Sequence, residues 1–245
     1  MAALEKIYDR KPSKEGGDNE PASDGNVAMH EQVYERLREA LISGRLSPGR
    51  VLSVRGIAAE FDVSAMPARE AIRRLAARGA LEFTGTRRVS IARMTEDKLD
   101  EIKAARLWLE PTLAERALIR LDGQPRDRKK LLRELEKIDA SLDAAIRRGD
   151  ANQYSQYNSE FHFALYRASE ATVLLDLVES LWMRVGPFMR VVIGRLGTSC
   201  LTDDHHKEIV QAIEEHDPDA LREAVRQDIL HGMDNIAASD FTAEG

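Results

Sequence analysis

The chain holds one cysteine, Cys200. A single thiol cannot close an internal disulfide or build a thiolate zinc cluster. No apolar run approaches the roughly 18 residues that a membrane span needs. The N-terminal stretch MAALEKIYDRKPSKEGGDNEPASDGN has no apolar signal core, so nothing in it reads as an export signal. These absences predict a cytoplasmic protein without membrane contact. Beyond Met94 there is no strand pattern and no repeat of fixed period.

What is present is a globular composition, 43% hydrophobic and 32% charged, over 245 residues, enough for one large domain or two ordinary ones. The net charge of −6 hides a split. From Met29 to Arg93 there are 12 arginines and 7 acidic residues, a surplus of +5. The remainder after Arg93 is acidic. Such asymmetry points to different partners for the two parts. Residues 1–28 are polar, not basic, and read as a disordered tail.

Residues 29–93 carry the order helix, helix, turn, helix, hairpin. Val33, Leu37, Ala40 and Leu41 share one face of a helix beginning at Met29. Gly44 ends it, and Leu46-Ser47-Pro48-Gly49 turns the chain. Ser53 caps a second helix with Ile57, Ala58 and Phe61 inward. Asp62-Val63 is a tight connection. Ser64 then caps a third helix holding Arg69, Arg73, Arg74 and Arg78, which Gly79 stops. Leu81–Phe83 and Arg88–Ile91 read as two short strands. This is the order of a winged helix-turn-helix.

The second helix of such a pair lies in the major groove of DNA, N-terminal end toward the bases. Ser64, Ala65, Met66 and Arg69 occupy that end. Arg69 can make a bidentate contact to guanine, Met66 can press on a thymine methyl, and Ser64 with the free first-turn amides can hold a phosphate. Arg55 and the wing-tip Arg87 or Arg88 are placed for phosphates or the minor groove. Arg73, Arg74 and Arg78 need not all face DNA.

Residues 94–240 predict six helices, about 95–121, 126–149, 151–169, 171–195, 203–216 and 218–238. Breaks fall at Gly123-Gln124-Pro125, Gly149-Asp150, Gly197-Thr198-Ser199 and Asp217-Pro218, and Pro187 is expected to kink the fourth helix. The fold class is therefore mainly α: a winged helix followed by an antiparallel six-helix bundle. Asn158 and His162, four apart, share a helix face. His206 and Asp228 lie at equal distances from the Asp217-Pro218 turn, so an antiparallel hairpin brings them level. Two imidazoles, a carboxylate and an amide oxygen suit a divalent metal such as zinc or nickel. The same four can equally be polar residues satisfied by hydrogen bonds. Arg106 pairs either with a ligand or with Glu110 one turn on. Arg184 and Arg190 are weaker anion candidates. Tyr154, Tyr157 and Trp182 are either lining or core.

The stretch LREALISGRLSPGRVLSVRGIAAEFDVSAMPAREAIRRLAARGALE, Leu37 to Glu82, resembles the winged helix of the GntR family of bacterial transcription regulators. The match runs through the Gly44–Gly49 turn, Arg55, and Val63 to Ile72. It implies that Arg55, Ser64, Arg69 and the wing around Gly85 contact operator DNA. Ala65 stands where the family usually has a base-reading arginine, Met66 where it has threonine, and Val54 where an acidic residue is common. These departures bear on the operator sequence, since a base contact is worth about 1–3 kcal/mol of discrimination.

Residues 97–236 are similar to the helical effector domain of the FadR subfamily, on Arg106-x-x-Leu109-Glu110, Asn158-x-x-Phe161-His162 and His206-Lys-Glu-Ile209. In its metal-binding members the ligands are an Asp or Asn and then three histidines. Asn158, His162 and His206 match, while Asp228 stands where the third histidine is common. The resemblance also implies a homodimer and a small carboxylate effector, held by metal and by Arg106. The expected function is thus an effector-responsive repressor of transcription. A ligand-independent architectural DNA-binding protein is the alternative. A metal-dependent enzyme fits poorly, because no general base separate from the ligands is apparent and Glu160 falls on another face.

Overall fold

The computed structural model describes residues 24–48, 52–84, 88–190 and 205–239. The expectations placed on Gly49, Gly85, Arg87, Gly197–Ser199 and Cys200, on residues 1–23, and on the end of the fourth bundle helix lie outside these residues. The first helix, α1 (Asp24–Ile42), begins ahead of the expected Met29. Residues 24–28, assigned to the tail on composition, continue the helix backward, because a nucleated helix gains one hydrogen bond for each residue added.

Short-range chemistry builds the winged helix. After β1 (Leu52–Ser53), the Ser53 hydroxyl accepts from Gly56 N at 3.0 Å and starts α2 (Val54–Glu60). Asp62 takes a left-handed backbone conformation, φ 51°, and turns the chain into α3 (Ala65–Ala77). Strands β2 (Leu81–Phe83) and β3 (Arg88–Ile91) form the expected hairpin. The sheet has a third strand, because β1 pairs antiparallel with β3 through Leu52 and Val89, giving the order β1-β3-β2. Two residues carry no readable alternation, so β1 left no sequence signal. Ile57, Ala68, Ile72, Leu75, Leu81 and Val89 close the core under α1's Leu37 and Leu41.

The helical half consists, among the described residues, of α4 (Glu96–Arg120), α5 (Pro125–Arg148), α6 (Ala151–Arg167), α7 (Thr172–Val185), α8 (His205–Glu215) and α9 (Pro218–Ala237). Caps place the breaks. Thr95 accepts from Lys98 N, Asp150 from Asn152 N and Gln153 N, and Asp217 from Asp219 N and Ala220 N. None of the described helices is long and apolar enough to cross a membrane.

At Pro187 the helical path is interrupted, and Arg190 is helical again. The α-helix α7 stops at Val185 and a 3₁₀ turn, Gly186–Phe188, follows. Proline has no N–H to give to the preceding turn, and Gly186 is fixed against the other half of the molecule. A Cβ on Gly186 would stand 2.4 Å from the Leu41 carbonyl oxygen and 2.6 Å from that of Ile42. Gly44, at φ +66°, meets the same seam, where a Cβ would lie 2.5 Å from Ser155 Oγ and 2.7 Å from Gly186 O. Around this seam Arg38 of α1 pairs with Glu179 of α7, Arg78 of α3 with Asp176, and Arg190 with Ser47. Arg184 lies alongside Gly79. Arg184 and Arg190 thus lie at the junction between the halves.

Gly186→Ala drives a methyl into backbone that cannot swing aside. It is expected to destabilise the fold by about 1–3 kcal/mol, read as a lowered midpoint in denaturant titration. A midpoint unchanged from the wild type would show the seam to be looser than this packing.

Candidate functional sites

The three arginines of α3 and Arg78 at its C-cap divide into two pairs. Arg74 stacks over the Tyr34 ring at 3.7 Å and bonds Glu31 at 2.7 Å. Arg78 is bonded to Asp176 at 2.9 Å. Both hold α3 to its surroundings. Arg69 is exposed, as is Arg73, whose one ion pair is a loose 3.6 Å contact with Glu70. Ser64, Ala65 and Met66 are exposed at the α3 N-terminus, and Met66 is 70% accessible. Ser64 occupies the N-cap position, but its side chain makes no capping bond. The hydroxyl and the first-turn amides stay available to an anion. Arg55, near the start of α2, is exposed, and so is Arg88 at the wing.

A second cluster sits inside the helical half. His162 of α6, His206 of α8 and Asp228 of α9 each offer a ligand atom, all within 4.8 Å of one another. His162 Nε2 is 3.1 Å from Asp228 Oδ2, His206 Nε2 is 3.6 Å from Asp228 Oδ1, and the two Nε2 atoms are 3.4 Å apart. The helical hairpin thus brings His206 level with Asp228. Asn158 is buried one turn before His162. Burial works against charge on Asp228, but His162, His206 and Arg106 outweigh it and hold the carboxyl well below the usual carboxylate range.

The neighbours decide which nitrogen of His162 carries hydrogen. Tyr166 O–H lies 2.7 Å from Glu110 Oε2 and 3.2 Å from His162 Nδ1. Burial, with the Glu110 carboxylate, pushes the phenol well up, so the hydroxyl keeps its proton and donates it to Glu110. It can then only accept from His162, which puts a hydrogen on Nδ1 and leaves Nε2 facing Asp228 and His206. The surroundings of His206 are looser. Its Nδ1 faces Asp139 Oδ1 at 3.7 Å, and its ring packs on Phe161 with centroids 4.2 Å apart. The cluster therefore gathers two imidazoles and a carboxylate around one point. Two imidazoles and a carboxylate are residue types that could hold a divalent cation.

Arg106 does not reach toward this point as a free anion hook. Its Nε and Nη2 bond Glu110 at 2.5 and 3.2 Å, its Nη1 lies 3.3 Å from Met233 Sδ, and the guanidinium sits 4.6 Å from the Trp182 ring centroid. The intrahelical ion pair is the outcome. It prevails because a fully buried guanidinium without a counter-charge is several kcal/mol worse. Glu110 also accepts from Trp182 Nε1 at 3.1 Å. Tyr154 is core, and Trp182 combines core packing with this polar contact. Sequence spacing missed Glu110, Tyr166 and Asp139 as members of the cluster. A buried Arg-x-x-x-Glu pair and the His162-x-x-x-Tyr166 spacing were the available signals.

Comparison with known proteins places both halves. Residues 29–91 match the model of bacterial regulatory proteins of the gntR family, and residues 101–231 match the FCD domain. The chain is 27% identical to the HTH-type transcriptional regulator McbR of Escherichia coli over 82% of this chain and 90% of that protein. It is 29% identical to the gluconate operon transcriptional repressor of Bacillus subtilis, over 84% of each. The solved structure of E. coli McbR/YncC superposes with a TM-score of 0.77 at 25% identity, covering 85% of this chain and 97% of that one.

Glu110→Gln removes the counter-charge of a buried guanidinium and one acceptor of Trp182. A loss of about 3–5 kcal/mol is expected, seen in urea unfolding, while the conservative Tyr166→Phe should cost less than half as much.

Proposed function

From a chain that belongs to the gntR family of bacterial regulatory proteins, and is therefore a DNA-binding transcriptional regulator and not an enzyme, we propose a cytoplasmic homodimeric repressor. Its operator affinity is set by a small carboxylate bound near His162, His206 and Asp228. The observation that carries the ligand half is the convergence of three electron-rich atoms within 4.8 Å.

On the DNA side, Arg69 reads a base edge and Met66 packs on it, while Arg55, Ser64 and the wing with Gly85 and Arg87 hold phosphates. Ala65 brings no base-reading side chain, so discrimination rests on Arg69. Two half-sites are read by two copies, because a single recognition helix covers too few base pairs.

On the ligand side, Asn158, His162, His206 and Asp228 would hold a divalent ion, zinc or nickel. When bound, such an ion supplies a positive centre that a carboxylate can reach. Arg106 is already matched by Glu110, so its part is to shape the wall and to favour the ionised form of Asp228. The effector acts only through a difference in its affinity for two domain placements. The seam offers a contact route, since Trp182, Glu179 and Gly186 lie along one helix and its end, touching Glu110, Arg38 and Ile42 in turn.

Chelator-stripped protein titrated with zinc, nickel and manganese should gain melting temperature saturably. A gain of about 2.7 kcal/mol is expected at a hundredfold excess over Kd. His162→Ala and His206→Ala should abolish the gain. No response to any of the three ions sinks the ligand set and leaves the DNA reading standing.

Arg69→Ala should weaken binding to an operator fragment by about 1–3 kcal/mol and relax specificity at one position. Arg74→Ala should instead lower stability, through Tyr34 and Glu31. Equal binding losses for the two variants would contradict the division of the arginines.

A further inference from the structure

Asp139 is an acid at a position where its helix is otherwise apolar. The buried residues of α5 are Leu131, Leu135, Asp139, Leu142, Ala145 and Ile146, a core-facing stripe at helical spacing with one carboxylate in it. Asp139 is only 7% accessible. Its Oδ1 is buried and has no hydrogen-bond partner. A buried carboxylate oxygen without a donor is destabilising. Leucine at this position would complete the stripe, so the acid calls for a reason beyond packing.

Two cationic or potentially cationic side chains of α8 face it. Lys207 Nζ lies 4.0 Å from Asp139 Oδ2, and that side chain is 56% accessible. The same lysine approaches Asp143, one turn further along α5, at 3.4 Å, and Asp143 is also bonded by Arg147 at 3.1 Å. A solvated lysine with a closer carboxylate beside it gives no reason for an acid at a core position. His206 does. Its Nδ1 is 3.7 Å from Asp139 Oδ1, a little beyond hydrogen-bond reach.

The other edge of the His206 ring closes the cluster. Its Nε2 is 3.4 Å from His162 Nε2 and 3.6 Å from Asp228 Oδ1, and Phe161 supports the ring with centroids 4.2 Å apart. An imidazole that gives one nitrogen to a cation carries its hydrogen on the other. Nε2 is the nitrogen turned to the cluster. The hydrogen then falls on Nδ1, the atom that faces Asp139.

We infer that Asp139 is a positioning residue for the ion site. It accepts the Nδ1 hydrogen of His206, fixes that tautomer and the ring's orientation, and so holds Nε2 ready as a ligand. The orphaned Oδ1 is the acceptor kept for that hydrogen. On His162 the same service comes from Tyr166, with Glu110 behind it, so Asp139 acts on His206 alone. The inference rests on the cation reading of His162, His206 and Asp228 and extends it to a residue outside the ligand set.

Two measurements on the chelator-stripped full chain test it together. One is zinc affinity against a chromogenic competitor chelator, the other the denaturant midpoint of the metal-free protein. Asp139→Leu completes the apolar stripe beside a cleft, lined also by Ala140 and Val210, that has room for it. Its metal-free midpoint is expected at or above the wild-type value, because an apolar group replaces an incompletely bonded buried acid. Its zinc affinity is expected to fall ~10- to 100-fold. Asp139→Asn keeps an oxygen that accepts from Nδ1–H and should lose less than ~10-fold. Asp143→Asn removes a charge beside the same lysine and should leave zinc affinity unchanged. Wild-type zinc affinity in Asp139→Leu overturns the inference. So does a loss matched by a fall in the metal-free midpoint, the mark of a packing role, or an equal loss in Asp143→Asn, the mark of general negative charge. A wild type that takes up no zinc fails earlier, in the cation reading itself, and the role of Asp139 falls with it.

Discussion

The Glu110 carboxylate organises the helical half. It is fully buried and accepts four hydrogen bonds, two from Arg106 and one each from Tyr166 and Trp182. An ionised carboxylate has about four acceptor positions, so it is saturated by groups from α4, α6 and α7. A buried ion pair gives little net stability relative to an apolar core of the same volume. What this one contributes is definition. It commits the Tyr166 proton, and through it the tautomer of His162. It also fixes the rotation of α7, whose other contacts run to the winged helix.

The winged helix divides its arginines between two tasks. Arg74 and Arg78 spend their charge inside the molecule, on Glu31 and Asp176. Arg55, Arg69 and Arg73 present theirs outward. An acidic protein can therefore approach a polyanion because its positive groups are gathered on one surface while its excess acid lies mostly on the other half. Long-range repulsion between that half and DNA is screened beyond about 10 Å in ordinary salt.

Local rules made most of the fold legible. Ser53, Thr95, Asp150 and Asp217 cap helices as their chemistry dictates, and the breaks fall beside them. The placement of His206 level with Asp228 was arithmetic on a helical hairpin. The parts that stayed hidden depend on contacts between elements. The 3₁₀ turn at Pro187 coincides with Gly186 lying on the Leu41 and Ile42 carbonyls, which nothing near Pro187 in sequence announces. By spacing, Arg106 had two equally good partners, a ligand or Glu110. The bonds of Glu110 to Tyr166 and Trp182 cross 56 and 72 residues of chain. Which α3 arginines face inward likewise depends on where Tyr34 and Asp176 lie.

The seam is backbone against backbone at Gly186, and at Gly44 the Gly186 carbonyl and the Ser155 hydroxyl close on it. Most surfaces inside a protein can be retuned by exchanging one side chain for a slightly larger or smaller one. Here every exchange adds atoms where there is no room, and no smaller residue exists. Sequence drift can thus rework the recognition helix for a new operator, or the histidine cluster for a new ligand, while the angle at which the two halves join stays the same. Lineages descending from this fold would diversify in what they read and what they sense far more easily than in how the two are geometrically related.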